Sequence, residues 1–307
     1  MVINYPIDKL IIYKGLDCYD SCVATYIHNS SLPHELLYSE FWNETDFEYD
    51  AEKYSFRSKK ILKNLYFYFE TTIIYYENFT EQNIYELIDT YHIFMAQTDL
   101  FYYPFSPSFQ IHHSPHFFLI HGYDLDEKKI YISDPSQKFQ DKKMNINNFM
   151  NIQKKVFIFY SKTLEKEKIF TIKKKKEINI SCDKLVKSLE YIENGLKEIF
   201  DEERNISDDR LIKEALFFNR LSNNRFCYLK YLEAYYQKKQ MVFNCLNDFE
   251  RIGKKYETIK NMLYKCVVMK NRKHICENIV AYYRETIAEE QEIASILNAE
   301  LVRFHMD

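Results

Sequence analysis

The sequence has few of the residues that interrupt regular structure: its 307 residues include only 4 glycines, 6 prolines and 1 tryptophan. Because Gly and Pro mark turns and end helices and strands, their scarcity predicts long regular elements. Long apolar runs are also missing. No stretch approaches the roughly 18 residues of a membrane-spanning helix, so we expect no membrane partner. The opening residues MVINYPIDKL lack a basic region followed by an apolar run, so no signal peptide is expected.

An excess of charge of either sign is missing too. The formal net charge of −3 gives no electrostatic reason to expect binding to nucleic acid or to an anionic membrane. The 7 cysteines are odd in number and dispersed, which predicts reduced thiols in the cytoplasm rather than a disulfide framework. Cys18 and Cys22 are close together but have no matching second pair, so we expect no structural zinc.

Apolar and aromatic residues are abundant, at 46% and 17% of the chain, which is ample for a folded core. Residues 1–161 alternate strand-like apolar runs with helical patterns, residues 162–180 are charged with almost no core residues, and residues 181–307 have helical spacing throughout. We therefore predict an α+β protein with two domains: a mixed domain, a basic linker and an all-α helical domain.

The linker contains the run KKKK at 173–176. Two interpretations are open for this run: a solvated linker, or a docking patch that attracts an acidic carrier protein by charge. Nucleic acid is disfavoured as a partner because no aromatic residues are interleaved with the lysines.

The first domain is predicted to contain a short strand near its start, two helices and several later strands. Residues 57–76 are long and apolar, and their pattern is ambiguous between helix and strand. The other predicted elements are a strand at 9–13, helices at 18–29 and 80–91, and strands at 92–97, 116–123, 129–133 and 156–160. In the second domain, helices are predicted from Ser181 and at about 208–240, 243–270 and 273–304.

A predicted hairpin brings a histidine and a carboxylate together. His116 begins one strand, Asp134 ends the next, and the turn sequence DLDEK lies between them. In an antiparallel hairpin the start of one strand lies close to the end of the other. We therefore expect the Asp134 carboxylate at the Nδ1–H of the His116 ring, where it would orient the ring and stabilise an imidazolium.

The stretch GLDCYDSCVATYIHN, at 15–29, places a cysteine at a helix start. Asp17 is the predicted N-cap and Cys18 lies in the first turn. The positive end of the helix dipole would lower the pKa of that thiol, and free N–H groups there can bind an oxyanion. Cys22 lies one turn further in and is predicted to face the core. A structural role for either cysteine is the alternative to nucleophilic catalysis by Cys18.

The order of these residues resembles that of known enzymes. The order C…H-x-x-x-x-x-G-Y-D…D-P is similar to papain-like cysteine enzymes of the double-glycine-leader peptidase type. TDLFYYPFSPSFQIHHSPHFFLIHGYD resembles the N-terminal domain of the butirosin biosynthesis protein H family, whose members also have an early Cys at a helix start and a following SE, here Ser39-Glu40. LSNNRFCYLKYLEAYY resembles the helical region that follows in that family.

This resemblance implies a papain-like cysteine protease fold over 1–161, followed by the helical domain. It implies an acyltransferase that moves an acyl group from a carrier-protein thioester to an amine in thiotemplated natural-product biosynthesis. A related resemblance, to the protease-like amide synthase type of closthioamide assembly, implies a diamine as acceptor. Cys18 would be the nucleophile, His116 the base and Asp134 the orienting residue. The implied partner is an acyl or peptidyl carrier protein that carries its own phosphopantetheine arm, so no separate cofactor is expected.

One feature of papain-like enzymes is missing: no Gln lies about six residues before Cys18, where the sequence is IIYKGLDC. The oxyanion would then depend on the Cys18 N–H and a second donor, for which Tyr13, Lys14 and Gln97 are candidates. This departure puts peptidase activity in more doubt than thioester chemistry, because a thioester is already activated.

Two further residues are candidates for substrate binding. Asp99 matches an Asp of the family before an aromatic-Pro stretch, and it would either pair with a substrate amine or cap its own loop. His113, or its neighbour His112, would line the cleft. A metal site is disfavoured because His112, His113 and His116 do not share one helical face.

Two other functions remain open at this point. The same three residues would serve a cysteine hydrolase (a peptidase, amidase or thioesterase) with water as the acceptor. A papain-like pseudoenzyme that only binds a partner is the non-catalytic alternative.

Overall fold

A computed structural model describes residues 1–43, 48–50, 55–57, 59–161, 208–236, 240–269 and 273–306. Its chain divides into two compact units, one formed by Met1–Leu37 with Ile61–Lys174 and the other by Tyr38–Lys60 with Lys175–Asp307. The segment Tyr38–Lys60 thus groups with the helical unit, whereas the predicted boundaries assigned it to 1–161. The predicted linker at 162–180, with its KKKK run, and the helix predicted from Ser181 lie outside the described residues.

The first unit is built on one antiparallel sheet, which confirms the α+β prediction. Six strands follow the order β4-β9-β5-β6-β7-β8, and β1 pairs with the free part of β6. Its strands are β1 (Val2–Asn4), β4 (Thr71–Tyr76), β5 (Phe94–Asp99), β6 (Pro115–Asp124), β7 (Lys129–Asp134), β8 (Phe139–Asn145) and β9 (Gln153–Ser161). Its helices are α1 (Cys18–Asn29), α2 (Lys59–Phe69, which begins at the unit boundary), α3 (Glu81–Tyr91) and α4 (Ile146–Ile152).

Two predicted segments have a different local structure from the one expected. The ambiguous stretch 57–76 forms both α2 and β4, and Glu70 between them has a φ of 45°, which turns the chain. The predicted strand at 9–13 is wrong, because this segment has no regular structure. Its Ile11 is buried, and the Ile11 N–H donates to Thr25 Oγ1 of α1 at 3.0 Å instead of to a neighbouring strand.

The two faces of the sheet pack against different helices. One face packs against α3 through a fully buried cluster that includes Ile88, Phe94, Phe118 and Val156. The other face carries α1, whose Tyr26 ring stacks on Phe159 of β9 at 3.9 Å between centroids. Since side chains alternate along a strand, odd-numbered residues of β5 and β6 lie on the α1 face and even-numbered ones on the α3 face.

The second unit is a bundle of long helices around a buried ion pair. Its helices are α5 (Asp208–Tyr236), α6 (Gln240–Val268) and α7 (Lys273–Met306), and it also contains a two-stranded ladder of β2 (Glu48–Asp50) and β3 (Ser55–Arg57). Arg225 Nη2 lies 2.6 Å from Glu290 Oε1, with both side chains fully buried, and the guanidinium carbon is 4.8 Å from the Trp42 ring centre. Among the described helices, none has the length and apolar character needed to cross a bilayer.

A buried histidine of the sheet predicts how stability depends on pH. His121 is fully buried, with Nδ1 2.9 Å from Asn4 Oδ1 and Nε2 2.9 Å from Ser133 Oγ. Burial lowers the pKa of His121 from its ordinary 6.5 to about 4. Between these values the unfolded chain binds the proton more readily than the folded one, so stability is lost as the pH falls from 6.5 to 4.

We therefore expect the free energy of unfolding to decrease by up to about 3 kcal/mol over this range because of His121 alone. Urea unfolding of the wild type and of His121→Gln at pH 4.5 and 7 measures the effect, since Gln can contact the same two partners without titrating. A pH dependence that is the same in both proteins would contradict this assignment.

Candidate active site

Helix α1 begins at the predicted nucleophile. The side chain of Asp17 accepts a hydrogen bond from the Asp20 N–H at 2.7 Å, which makes Asp17 the N-cap and Cys18 the first helical residue, as predicted. Cys18 is half-buried. The edge of the Tyr19 ring packs on Phe117 of β6, with centroids 5.2 Å apart, so the start of the helix is held against the strand that carries His116.

The predicted hairpin brings His116 and Asp134 together. Strands β6 and β7 pair antiparallel, with Leu119 opposite Ser133, so the start of one strand meets the end of the other. His116 Nε2 lies 2.6 Å from Asp134 Oδ2, and both side chains are almost fully buried. The contact was expected at Nδ1, and that detail is wrong. The ring edge that carries Nε2 faces Asp134.

The use of Nε2 decides the chemistry of the ring. With its proton held on Nε2 by the carboxylate, the neutral imidazole has an unprotonated Nδ1 that can accept a proton. Within the described residues, His116 makes no other hydrogen bond. The ring is therefore arranged as a base whose accepting atom is Nδ1.

The sulfur of Cys18 lies near the backbone of Phe117 and within reach of the Asp134 charge. Burial raises the pKa of the Cys18 thiol and the carboxylates of Asp17 and Asp134 raise it further, while the backbone N–H groups of Phe117 and Tyr19 act on the sulfur in the opposite direction. The predicted lowering of the thiol pKa by the helix terminus is thus outweighed. Phe117 directly follows His116 in the chain, so the backbone at the start of β6 borders the sulfur.

Cys22 is a poorer candidate for the nucleophile. Its side chain is fully buried, and burial is the largest of the effects that raise the pKa of its thiol well above the ordinary value. A substrate carbonyl has no access to a sulfur in this position without local opening of α1. The prediction that Cys22 faces the core is confirmed.

Asp134 accepts a hydrogen bond from the Gln137 backbone, and the Tyr103 ring lies beside His116. The Oδ1 atom of Asp134 accepts the Gln137 N–H at 3.0 Å, so each carboxylate oxygen has a donor. Tyr103 is fully buried, and its ring lies 5.2 Å from the His116 ring and 5.0 Å from Phe118 between centroids. Burial and the nearby Asp134 carboxylate both raise the pKa of the Tyr103 phenol. Sequence reasoning missed Tyr103, which lies in the aromatic-Pro stretch and carried no signal of its own.

Asp99 caps its own loop in the structure. Its Oδ1 accepts the backbone N–H groups of Phe101 and Ser114, at 3.0 and 3.1 Å, and its Oδ2 lies 3.0 Å from His113 Nδ1. The His113 ring stacks on Phe101 with centroids 4.2 Å apart, and Lys154 Nζ is 3.8 Å from Asp99 Oδ2. These contacts support the loop-capping interpretation of Asp99; contact of Asp99 or His113 with a substrate stays a prediction.

The histidines of residues 112–121 have separate partners. His113 contacts Asp99, His116 contacts Asp134, and His121 contacts Asn4 and Ser133. Within the described residues, no group of three His, Cys, Asp or Glu side chains is arranged to hold a metal ion.

Among the candidate oxyanion donors, Tyr13 is hydrogen-bonded to His34. Its hydroxyl lies 2.5 Å from His34 Nε2, and the two rings stack with centroids 5.6 Å apart. Burial lowers the pKa of His34 to about 4, so the ring is neutral at pH 7 and its Nε2 can accept the Tyr13 proton. Gln97 lies on β5, directly opposite Phe117.

Part of the chain is similar to a known protein family. Residues 38–135 match the family model described as Butirosin biosynthesis protein H, N-terminal. Over these residues the chain is similar to butirosin biosynthesis protein H. The matched segment includes His116 and Asp134, and it begins after Cys18.

A structural comparison gives a more distant match. The crystal structure of a putative C39-like peptidase from Bacillus anthracis is similar at 12% sequence identity with a TM-score of 0.35, covering 52% of this chain and 100% of that chain. No curated protein matches the sequence.

Proposed function

We propose that the protein is a cysteine-dependent acyltransferase that moves an acyl group from a carrier-protein thioester to an amine through an acyl-Cys18 intermediate. The observation that carries the proposal is the buried His116–Asp134 pair, joined through Nε2 at 2.6 Å, together with the action of the Asp134 charge and the Phe117 N–H on the half-buried Cys18 sulfur. A base, its orienting carboxylate and a thiol are the three groups that nucleophilic catalysis by cysteine requires.

In the first half-reaction the Cys18 sulfur attacks the thioester carbonyl as its proton passes to Nδ1 of His116. A carbon–sulfur bond forms to Cys18, and the electron pair of the C=O bond moves onto oxygen. When the carbonyl re-forms, the pantetheine thiolate leaves and takes the proton from the His116 imidazolium. Asp134 stabilises that imidazolium while it exists. Because burial favours the neutral thiol, proton transfer coupled to attack is the route that this site supports.

In the second half-reaction the amine attacks the acyl-Cys18 carbonyl and gives a proton to His116 Nδ1. Collapse of the tetrahedral intermediate forms the amide and expels the Cys18 thiolate, which recovers the proton. A thioester and an amine thus become an amide and a thiol. Aminolysis requires that water be kept from the acyl-enzyme, and the burial of the His116–Asp134 pair is consistent with this requirement.

The family match supports the biological setting of the proposal. Because residues 38–135 are butirosin biosynthesis protein H-like, we place the enzyme in antibiotic or related natural-product biosynthesis. The donor is then an acyl or peptidyl carrier protein whose own phosphopantetheine arm brings the thioester into the site. The acceptor is an amine, with a diamine as the specific candidate. No separate cofactor takes part in either half-reaction.

The test is product analysis with S-acyl pantetheines (acetyl, octanoyl and benzoyl) and a diamine such as 1,3-diaminopropane. We expect intact-protein mass spectrometry to show one acyl group on Cys18 in the absence of amine. We expect the amide to form when the diamine is added, at the expense of the acyl-enzyme.

Hydrolysis is the alternative outcome of the same experiment. Free acid as the sole product at every amine concentration would replace the proposal by a cysteine hydrolase. Failure of any thioester to acylate the protein, including one presented on a carrier protein, would favour a non-catalytic role.

A further inference from the structure

Tyr103 places a phenolic hydroxyl group inside the first unit. Its side chain is fully buried. In the part of the chain that the structure describes, the hydroxyl oxygen has no hydrogen-bond partner. Burying an unpaired polar group costs free energy that a phenylalanine at the same position would avoid. Such a group in a native fold therefore calls for an explanation.

The position of the Tyr103 ring is fixed from several sides. Its backbone N–H donates to the Leu100 carbonyl at 3.2 Å, and its own carbonyl accepts the Ser106 N–H at 3.1 Å. The ring stacks on Phe118 of β6, with centroids 5.0 Å and planes 19° apart. The place of the hydroxyl group is therefore set by the fold, because the ring has little freedom to swing.

This ring lies beside the His116–Asp134 pair. The centroids of the Tyr103 and His116 rings are 5.2 Å apart. Burial raises the pKa of the Tyr103 phenol, and the Asp134 carboxylate raises it further through its charge and as a hydrogen-bond acceptor; Cys22 of α1 adds to the effect. The hydroxyl group is thus within range of the Asp134 carboxylate, although no hydrogen bond between the two is formed in the structure.

Asp134 has room for a further donor. An ionised carboxylate offers about four acceptor positions. Among the described residues, its Oδ1 accepts the Gln137 N–H and its Oδ2 faces Nε2 of His116. Because the Asp134 side chain is fully buried, its charge has to be stabilised by donors of the protein.

We propose that Tyr103 is a positioning residue that donates its phenolic O–H to Asp134 while the Cys18 proton passes to His116. The hydrogen bond would hold the carboxylate ionised and aligned with Nε2 of the ring. The phenol proton stays on its oxygen throughout, in agreement with the raised pKa of Tyr103. This inference rests on the proposed function and deepens it, since it assigns a residue that acts on the base through Asp134.

The test is Tyr103→Phe, which keeps the ring and removes only the hydroxyl group. We expect thermal unfolding at an unchanged or slightly higher temperature, because the group that is removed has no partner in the described fold. We expect single-turnover acylation by S-acyl pantetheine to be about 10–100-fold slower, which is the effect of losing one hydrogen bond to a charged group.

The pH dependence of the same reaction separates positioning from packing. The groups around the phenol that can bind or release a proton are His116, Asp134 and Cys22. Without the Tyr103 donor, the His116–Asp134 pair binds a proton more readily, so acylation should be lost at a higher pH as the pH falls. We expect the acid limb of the rate profile to move up by about one pH unit, whereas a change in packing alone would leave it in place.

Tyr102→Phe is the matched control, because it makes the same change at the neighbouring residue, whose side chain is exposed. Its acylation rate and its acid limb should match those of the wild type. If Tyr103→Phe is acylated within about twofold of the wild-type rate, or more slowly with an unchanged acid limb, the role of Tyr103 is overturned while acyl-Cys18 chemistry stands. If the wild type itself never becomes acylated, the proposed function fails, and the role of Tyr103 fails with it.

Discussion

Replacement of Cys18 by Ala is expected to abolish acyl loading and to lower amide formation by at least about 10⁴-fold, because the covalent intermediate has no other atom on which to form. The residual rate would come from direct attack of the amine on a bound thioester. Incubation of the variant with S-acyl pantetheine, followed by intact-protein mass spectrometry and product analysis, measures both quantities.

Cys22→Ala is the matched control, since Cys22 lies one helical turn away on α1. Its fully buried sulfur is a core atom, so we expect a loss of stability without a loss of acyl loading per folded molecule. The reverse result, with loading retained by Cys18→Ala and lost by Cys22→Ala, would show that the wrong cysteine has been assigned.

Short sequence patterns correctly predicted the start of helix α1 and the hairpin that carries His116 and Asp134. Asp17 as N-cap and Cys18 as first helical residue follow from the preference of short polar side chains for the position before a helix. The closeness of His116 and Asp134 follows from hairpin geometry once a turn is placed between the two strands. Neither inference needed knowledge of what packs against the helix or the hairpin.

The pKa of the Cys18 thiol could not be predicted in this way, because burial is a property of the whole fold. A helix terminus contributes about 0.3–1 kcal/mol, which is less than one pKa unit. Burial can shift a pKa by about 3–5 units in the opposite direction, so it decides the sign. The amount of sheet and loop that covers the first turn of α1 cannot be read from the residues of the helix itself.

The same reason explains the other differences between expectation and structure. The apolar run at 9–13 has the composition of a strand, but its Ile11 N–H finds a partner in Thr25 of α1, so no neighbouring strand is required. Tyr13 was a candidate oxyanion donor by its position before Cys18, and its hydroxyl is instead bonded to His34, which lies beyond the helix in the sequence. A short sequence pattern does not show which distant residue will become a hydrogen-bond partner in the fold.

Replacement of Asp134 by Asn is expected to reduce acyl transfer by about 10⁴-fold, and the existing hydrogen bonds give the reason. Asp134 Oδ1 accepts the Gln137 N–H at 3.0 Å, so an Asn side chain would keep its oxygen there and turn its NH₂ group toward His116. Facing a donor, Nε2 of His116 would become the acceptor and the ring proton would move to Nδ1. The ring could then no longer accept the proton of Cys18, and the imidazolium would also lose its charge partner.

Asp124→Asn is the matched control, because Asp124 ends the same strand β6, accepts the Glu127 N–H and contacts Lys143 at 3.2 Å, at the opposite end of the hairpin from His116. Single-turnover acylation of both variants by S-acyl pantetheine separates the chemical step from product release. We expect the wild-type rate for Asp124→Asn, since it changes the same kind of group in the same hairpin without touching the imidazole. Equal losses in the two variants would mean that the hairpin as a whole had been disturbed, and a wild-type rate in Asp134→Asn would remove Asp134 from the proposed mechanism.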